Sequence, residues 1–221
     1  MKAWSHSALK SFELCPKKYY LESVEKRYNE APGEAMVWGS SVHKAFEMFF
    51  KRGSKFPIGM KQFEVLAGAL KERAVGSEVM VETRLALDAD FQPAGFFDKS
   101  VWVRAVVDYG FVKNNVAVIF DWKTGKKNPS DDQLALMAAL MFAQDSDIKM
   151  VIASFVWLQE PMGRQLATLT FERAELTDMW NRFLPRVREF HKAFALEEFP
   201  TRPNGLCRRW CPVTSCPHHG E

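Results

Sequence analysis

The stretch VWVRAVVDYGFVKNNVAVIFDWK, residues 101–123, restricts the possible folds more than any other part of the chain. Two runs rich in β-branched and aromatic residues flank Asn114-Asn115, a dipeptide that tolerates the positive φ of a two-residue type I′ turn. A hairpin closed there pairs Lys113 with Val116, and counting back sets Asp108 directly opposite Asp121. Directly opposed side chains share one face, with Cβ atoms about 4.5–5.5 Å apart. Two carboxylates so placed repel unless something positive lies between them, and a divalent cation held through oxygen is the natural occupant. Lys123 projects from the same face as Asp121, because strand side chains alternate, while Trp122 points away and can pack in a core. The pattern has two readings. Either the carboxylates hold a metal and the ammonium steadies developing negative charge beside it, or Lys123 neutralises both aspartates in a structural ion cluster.

The surrounding sequence supplies helices and more strands. SHSALKSFELCPKKYYLESV predicts a helix capped by Ser5 or Ser7 and broken or kinked at Pro16. A second helix is expected from near Gly39–Ser41, with Val42, Phe46, Phe49 and Phe50 as its apolar face and Gly53 closing it. Residues 60–76 read as a third. Strands are expected at about 79–87, 101–112, 116–123, 149–158 and 165–171, with helices at 131–144 and 173–196. KTGKKNPSDD, residues 123–132, reads as a loop leading to a helix start at Ser130. This order fits an α/β sandwich around a mixed sheet.

With 221 residues, 47% of them hydrophobic, the chain can build a sizeable core without disulfides. No apolar run reaches membrane-spanning length, and the N-terminus lacks the apolar stretch of a signal peptide, so no membrane association is expected. There is no Walker-type loop, hence no helicase motor. The net charge of +3 is modest, but Lys17, Lys18, Lys26 and Arg27 cluster early while Arg182, Arg186, Arg188, Arg202, Arg208 and Arg209 cluster late. A basic surface formed by the two ends would suit nucleic acid, with Trp4 and Trp210 as the aromatics expected to face it. Of four cysteines, Cys15 stands alone, whereas Cys207, Cys211 and Cys216 crowd the end of the chain. In a reducing compartment that layout points to metal more than to disulfides.

Four stretches occur in the order typical of one family: SHSALKSFELCPKKYYL, GSSVHKAFE, VVDYGFVKNNVAVIFDWKTGK and DDQLALMAAL. Together they resemble the PD-(D/E)XK nuclease superfamily, specifically its RecB-like branch and the iron–sulfur exonucleases within it, CRISPR-associated and phage members included. The resemblance implies a restriction-endonuclease-like α/β core, a central mixed sheet flanked by helices, with a Cys-ligated C-terminal appendage. It also implies that Asp108, Asp121, the Trp122 carbonyl and His43 hold Mg²⁺ or Mn²⁺, and that Lys123 is the catalytic lysine with Gln133 near the site. Glu82 is a possible additional acid or simply an exposed strand charge. Met137 stands where the family often has a tyrosine, four residues after the glutamine.

In the iron–sulfur members, one cysteine of the first helix joins three near the C-terminus around a [4Fe–4S] cluster. Here that set would be Cys15, Cys207, Cys211 and Cys216, although C-x3-C-x4-C replaces the commoner C-x2-C-x5-C spacing. Thiolates suit zinc as well, with His218 or His219 as substitute ligands. The expectation is one nuclease domain with a core at about 36–198, its ends 1–35 and 199–221 drawn together by the Cys-ligated cluster. Its expected activity is metal-dependent hydrolysis of DNA phosphodiesters, as an exonuclease on single strands or DNA ends in recombination, repair or phage DNA metabolism. Recombination or replication proteins are possible partners, and the cytoplasm of a bacterial or phage-infected cell is the expected location. The rival reading is a non-catalytic DNA-binding Fe–S module or scaffold that keeps the fold.

Overall fold

The computed structural model describes residues 1–28, 31, 33–128 and 130–221. The chain divides into two compact units, residues 32–180 and residues 1–31 with 181–221.

In the first of these units, the described residues form one five-stranded sheet in the order β1-β2-β3-β4-β5. The strands are β1 (Glu78–Leu87), β2 (Val103–Lys113), β3 (Val116–Lys123), β4 (Met150–Trp157) and β5 (Leu166–Glu172). β1, β2 and β3 run as an antiparallel meander, β3 and β4 are parallel, and β5 returns antiparallel, so the sheet is mixed as expected. A parallel neighbour needs a crossover, and helix α5 (Asp131–Gln144) supplies it between β3 and β4. Asn114 and Asn115 have φ of 50° and 63°, the two positive values that a type I′ turn requires, and Lys113 pairs with Val116.

Alternation along the hairpin decides what each face packs against. Tyr109, Phe111, Val118, Phe120 and Trp122 are buried with Val42 and Phe46 of α3 (Glu34–Arg52) and with Ala67 and Leu70 of α4 (Glu64–Arg73). Trp122 stacks on Phe46 at 4.3 Å between ring centroids. The opposite face carries Asp108 and Asp121 and faces α5, which is buried from Leu134 through Phe142. Met137 lies within that run and is a core side chain.

Two helix boundaries differ from the sequence expectation. α3 begins at Glu34 rather than near Gly39, adding a first turn whose Met36 and Val37 are exposed and therefore carry no amphipathic signal. The expected third helix begins as a 3-10 turn, Ile58–Phe63, before α4. α5 starts at Asp131, and Pro129 of the expected loop lies outside the described residues.

In the other unit, Ser5 caps α1 (His6–Leu14) by accepting from the Ala8 N–H, and the chain breaks at Cys15 before α2 (Pro16–Tyr19). Phe12 and Tyr19 meet Phe190 of α6 (Leu176–Leu196) with ring centroids 5.2 and 5.6 Å apart. Arg186 holds Glu13 through two hydrogen bonds of 2.5 and 2.8 Å. Trp4 corrects the sequence reading: it is 1% exposed and packs on Phe183, so it is a core residue rather than a nucleic-acid-facing one, whereas Trp210 is 74% exposed. No helix among the described residues is long and apolar enough to cross a membrane.

Candidate active site

The paired-carboxylate arrangement is built by the hairpin register. The ladder between β2 and β3 ends at Tyr109–Phe120, and the next position sets Asp108 beside Asp121. Both are buried, at 8% and 5% exposure. The Trp122 backbone N–H donates to Asp108 Oδ2 at 2.8 Å, which fixes the carboxylate across the strands. Burial first, and the charge of Asp108 second, push the Asp121 carboxyl up to about 6, against the pull of Lys123. Two carboxylates in a low-dielectric site drive one another toward the protonated form unless a cation joins them.

Lys123 Nζ lies 2.6 Å from Asp121 Oδ2 and donates to Gln133 Oε1 at 2.9 Å, while Gln133 Nε2 donates to Asp121 Oδ1 at 2.6 Å. The three side chains form a closed triangle between β3 and the first turn of α5. The Lys123 ammonium also sits 4.9 Å from the centre of the Phe155 ring.

His43 enters from α3. Its Nδ1 is 3.3 Å from Asp108 Oδ1 and its Nε2 is 3.1 Å from the Trp122 carbonyl oxygen. Burial alone would lower its pKa, but the hydrogen bond and charge of Asp108, helped by Asp121 and Glu82, raise it overall. The ring thus lies between a carboxylate oxygen and a backbone carbonyl oxygen. Gly39, one turn before His43, lets α3 come close: a Cβ there would stand 3.0 Å from Thr124 Oγ1.

Glu82 faces Asp108 on β1 but is skipped by the ladder, which pairs Val81 with Tyr109 and Thr83 with Val107. Its φ is +50°, a left-handed value that costs a non-glycine residue about 1–3 kcal/mol and persists where surrounding structure enforces it. Burial, then the charge of Asp108, raises its pKa. Ligand atoms of His43, Glu82 and Asp108 lie within 4.8 Å of one another, the one such trio of His, Cys, Asp or Glu among the described residues. Asp121, whose carboxylate meets Lys123 and Gln133, lies outside the trio. Hard oxygen donors with one imidazole fit Mg²⁺ or Mn²⁺. A cleft lined by Gly39, Ser40, His43, Lys44, Glu82 and Thr124 gives access. The positive φ of Glu82 had no sequence signal, since the residue sits in an unbroken strand pattern.

In the unit formed by the two chain ends, Cys15, Cys207, Cys211 and Cys216 all line one pocket, together with Asn204 and His218. All four are free thiols. The Asn204 N–H points at Cys207 Sγ at 3.4 Å, and the Asn204 side chain donates to the Leu14 carbonyl at 3.2 Å. The Lys17 N–H donates to the Pro200 carbonyl, so backbone and side-chain bonds bring Cys15 to the C-terminal cysteines. No three of the thiols lie within 4.8 Å of one another.

No curated protein sequence matches this chain. Among solved structures, a protein from Eubacterium rectale described as a "Putative exonuclease" aligns over 94% of this chain and 86% of its own, at 13% identity with a TM-score of 0.56. At that identity the likeness shows the fold alone. The structure of SSO0001 aligns over 99% of this chain and 88% of its own at 12% identity, and its TM-score of 0.43 carries no argument. The family model of the PD-(D/E)XK nuclease superfamily matches residues 3–217, and the chain belongs to that superfamily.

Proposed function

We propose that the protein is a divalent-metal-dependent deoxyribonuclease of the RecB-like branch, acting as an exonuclease on single-stranded DNA or DNA ends. The observation that carries this reading is the clustering of ligand atoms of His43, Glu82 and Asp108, with His43 also at the Trp122 carbonyl, beside the Asp121–Lys123–Gln133 triangle. A non-catalytic DNA-binding module would have no use for a buried carboxylate pair that destabilises itself when empty.

In this reading His43, Asp108, Asp121 and the Trp122 carbonyl hold Mg²⁺ or Mn²⁺, with Glu82 as an additional oxygen donor. A cation bound there supplies Lewis acidity and lowers the pKa of a coordinated water. Lys123 carries a fixed positive charge to the edge of the site, where it offsets the negative charge that builds on the phosphorus oxygens during hydrolysis. Gln133 is a positioning residue: it accepts from the ammonium and donates to Asp121, so both keep their orientation as the substrate arrives.

The four cysteines are proposed to hold a [4Fe–4S] cluster with a structural role, clasping residue 15 to residues 207–216. Their shared pocket and the N–H directed at Cys207 sulfur fit thiolate ligation. A single zinc ion held by the same thiolates, with His218 or His219 as a substitute ligand, is the alternative occupant. The whole chain would then act as one nuclease domain with a metal-clasped end, in recombination, repair or phage DNA metabolism.

The test is a time course on end-labelled single strands and duplexes in Mg²⁺, Mn²⁺ or EDTA. Mononucleotide or short products from the first time point, in metal only, are expected. Products of intermediate length from a circular single strand would replace the exonuclease with an endonuclease. Folded protein that binds but never cuts in any metal would leave the non-catalytic module.

A further inference from the structure

The loop joining β1 to β2 carries a surface that the metal site does not explain. Arg84 lies with its guanidinium 5.5 and 5.1 Å from the ring centres of Phe96 and Phe97, and Arg104 lies 5.4 Å from Phe96. The two rings meet edge to face at 5.2 Å. Phe97 is nonetheless 71% exposed, an unusual position for a phenylalanine that a loop uses only for packing. Arg104 Nε is buried with no hydrogen-bond partner, and among the described residues neither arginine has a carboxylate within ion-pair distance. Asp98, the acid in the same turn, accepts from the Gly95 N–H instead. Two cations without anions and an exposed aromatic ring beside them are the two halves of a single-strand binding platform, one for phosphate and one for bases.

The sheet register places this patch relative to the candidate site. Arg104 is four residues before Asp108 on β2, and Arg84 pairs with Val106 between them, so both arginines lie along the strand pair that carries Glu82 and Asp108. At about 3.4 Å per residue, the arginines lie roughly 7–14 Å along the strands from the Glu82–Asp108 position. That is a span of roughly two to four nucleotides at the 3.4 Å per phosphate of a stacked strand. β1 is an edge strand, so the patch is open on one side.

We propose that Arg84, Arg104, Phe96 and Phe97 form a subsite for single-stranded DNA, holding the nucleotides a few positions from the scissile phosphate. The arginines meet phosphates and the Phe97 ring stacks on an unpaired base. This inference rests on the nuclease reading for its placement along the substrate, not for the binding itself.

The test is fluorescence anisotropy of the full-length protein with fluorescein-labelled oligothymidylate in EDTA, for wild type, Arg84→Ala, Phe97→Ala and the double variant. Hydrolysis of bis(p-nitrophenyl) phosphate in Mn²⁺, which offers one phosphodiester and no flanking nucleotides, is measured alongside. Each single variant is expected to weaken oligonucleotide binding roughly tenfold, and Arg84→Ala to reduce the slope of log K against log salt by about 0.7. The small diester is expected to turn over as in wild type, and the Phe97→Ala loss to appear on single strands but not on a blunt duplex. Variants that melt with the wild type and bind the oligonucleotide as tightly would overturn the subsite and reduce the patch to a clamp on its loop. Equal Phe97→Ala losses on duplex and single strand would overturn base stacking. If wild type turns over neither substrate while the variants still lose oligonucleotide binding, the nuclease reading fails and the binding surface stands.

Discussion

Asp108 accepts a 2.8 Å hydrogen bond from the backbone N–H of Trp122, so the carboxylate on β2 is tied to the strand that carries Asp121 and Lys123. This one side chain therefore has two separable jobs, joining strand ends and presenting its other oxygen to His43. Asp108→Asn keeps an oxygen acceptor for the Trp122 N–H, whereas Asp108→Ala leaves that buried donor unsatisfied at about 1–3 kcal/mol. Urea unfolding is expected to show Asp108→Asn near wild type and Asp108→Ala destabilised by that amount, with DNA cleavage abolished in both.

Asp121 makes the metal-free protein's stability depend on pH. Its carboxyl is raised from 3.8 to about 6 in the fold, so the folded state holds the proton more tightly than the unfolded chain does. The resulting contribution is complete below the unfolded value and is lost as pH rises through about 6. In EDTA, Asp121→Asn is expected to be more stable than wild type at pH 8, and the gap is expected to close as pH falls through 6 toward 4. Thermal melts of the two proteins across that range check it. A gap that widens on acidification would contradict the buried carboxylate pair.

Gln133 acts through its neighbours, so its removal should alter rate rather than fold. Gln133→Ala is expected to lower kcat on single-stranded DNA by roughly 10–100-fold, as for other groups that orient catalytic residues, with KM little changed. Its pH–rate profile should shift as well, because Asp121 loses its neutral donor. An unchanged profile with a fallen melting temperature would make the residue structural only.

The cysteine pocket predicts a colour and a stability change. Protein purified without oxygen is expected to carry iron and sulfide in equal amounts and to absorb visible light. Cys15→Ala should lose that absorbance. Opening a clasp between residue 15 and the chain end should cost several kcal/mol, about 5 by the loop-closure analogy with a cross-link. Zinc with no visible absorbance would replace the cluster by a mononuclear site.

The hairpin was the most legible part of the chain because three independent local signals agree in it. Asn114-Asn115 set the turn, the turn set the register, and the register put Asp108 beside Asp121. What escaped the sequence depends on contacts that periodicity does not encode. Glu82 sits in a strand-like run, and its departure from the ladder opposite Asp108 leaves no mark in that pattern. Gly110 looks like a weak point in β2, yet a Cβ there would meet the Val118 carbonyl oxygen at 2.7 Å, so glycine is what allows β2 and β3 to approach beside the carboxylates. Trp4, read from its polar surroundings as exposed, is buried because Phe183, far away in sequence, covers it.

The most direct test is cleavage of an end-labelled single strand in Mn²⁺ by wild type and Asp121→Asn, each shown to be folded. The account predicts cutting that EDTA stops and that falls by at least about a hundredfold in the variant, which keeps the shape of the side chain but not its charge. Equal cutting by both proteins would contradict a metal centre at Asp108 and Asp121.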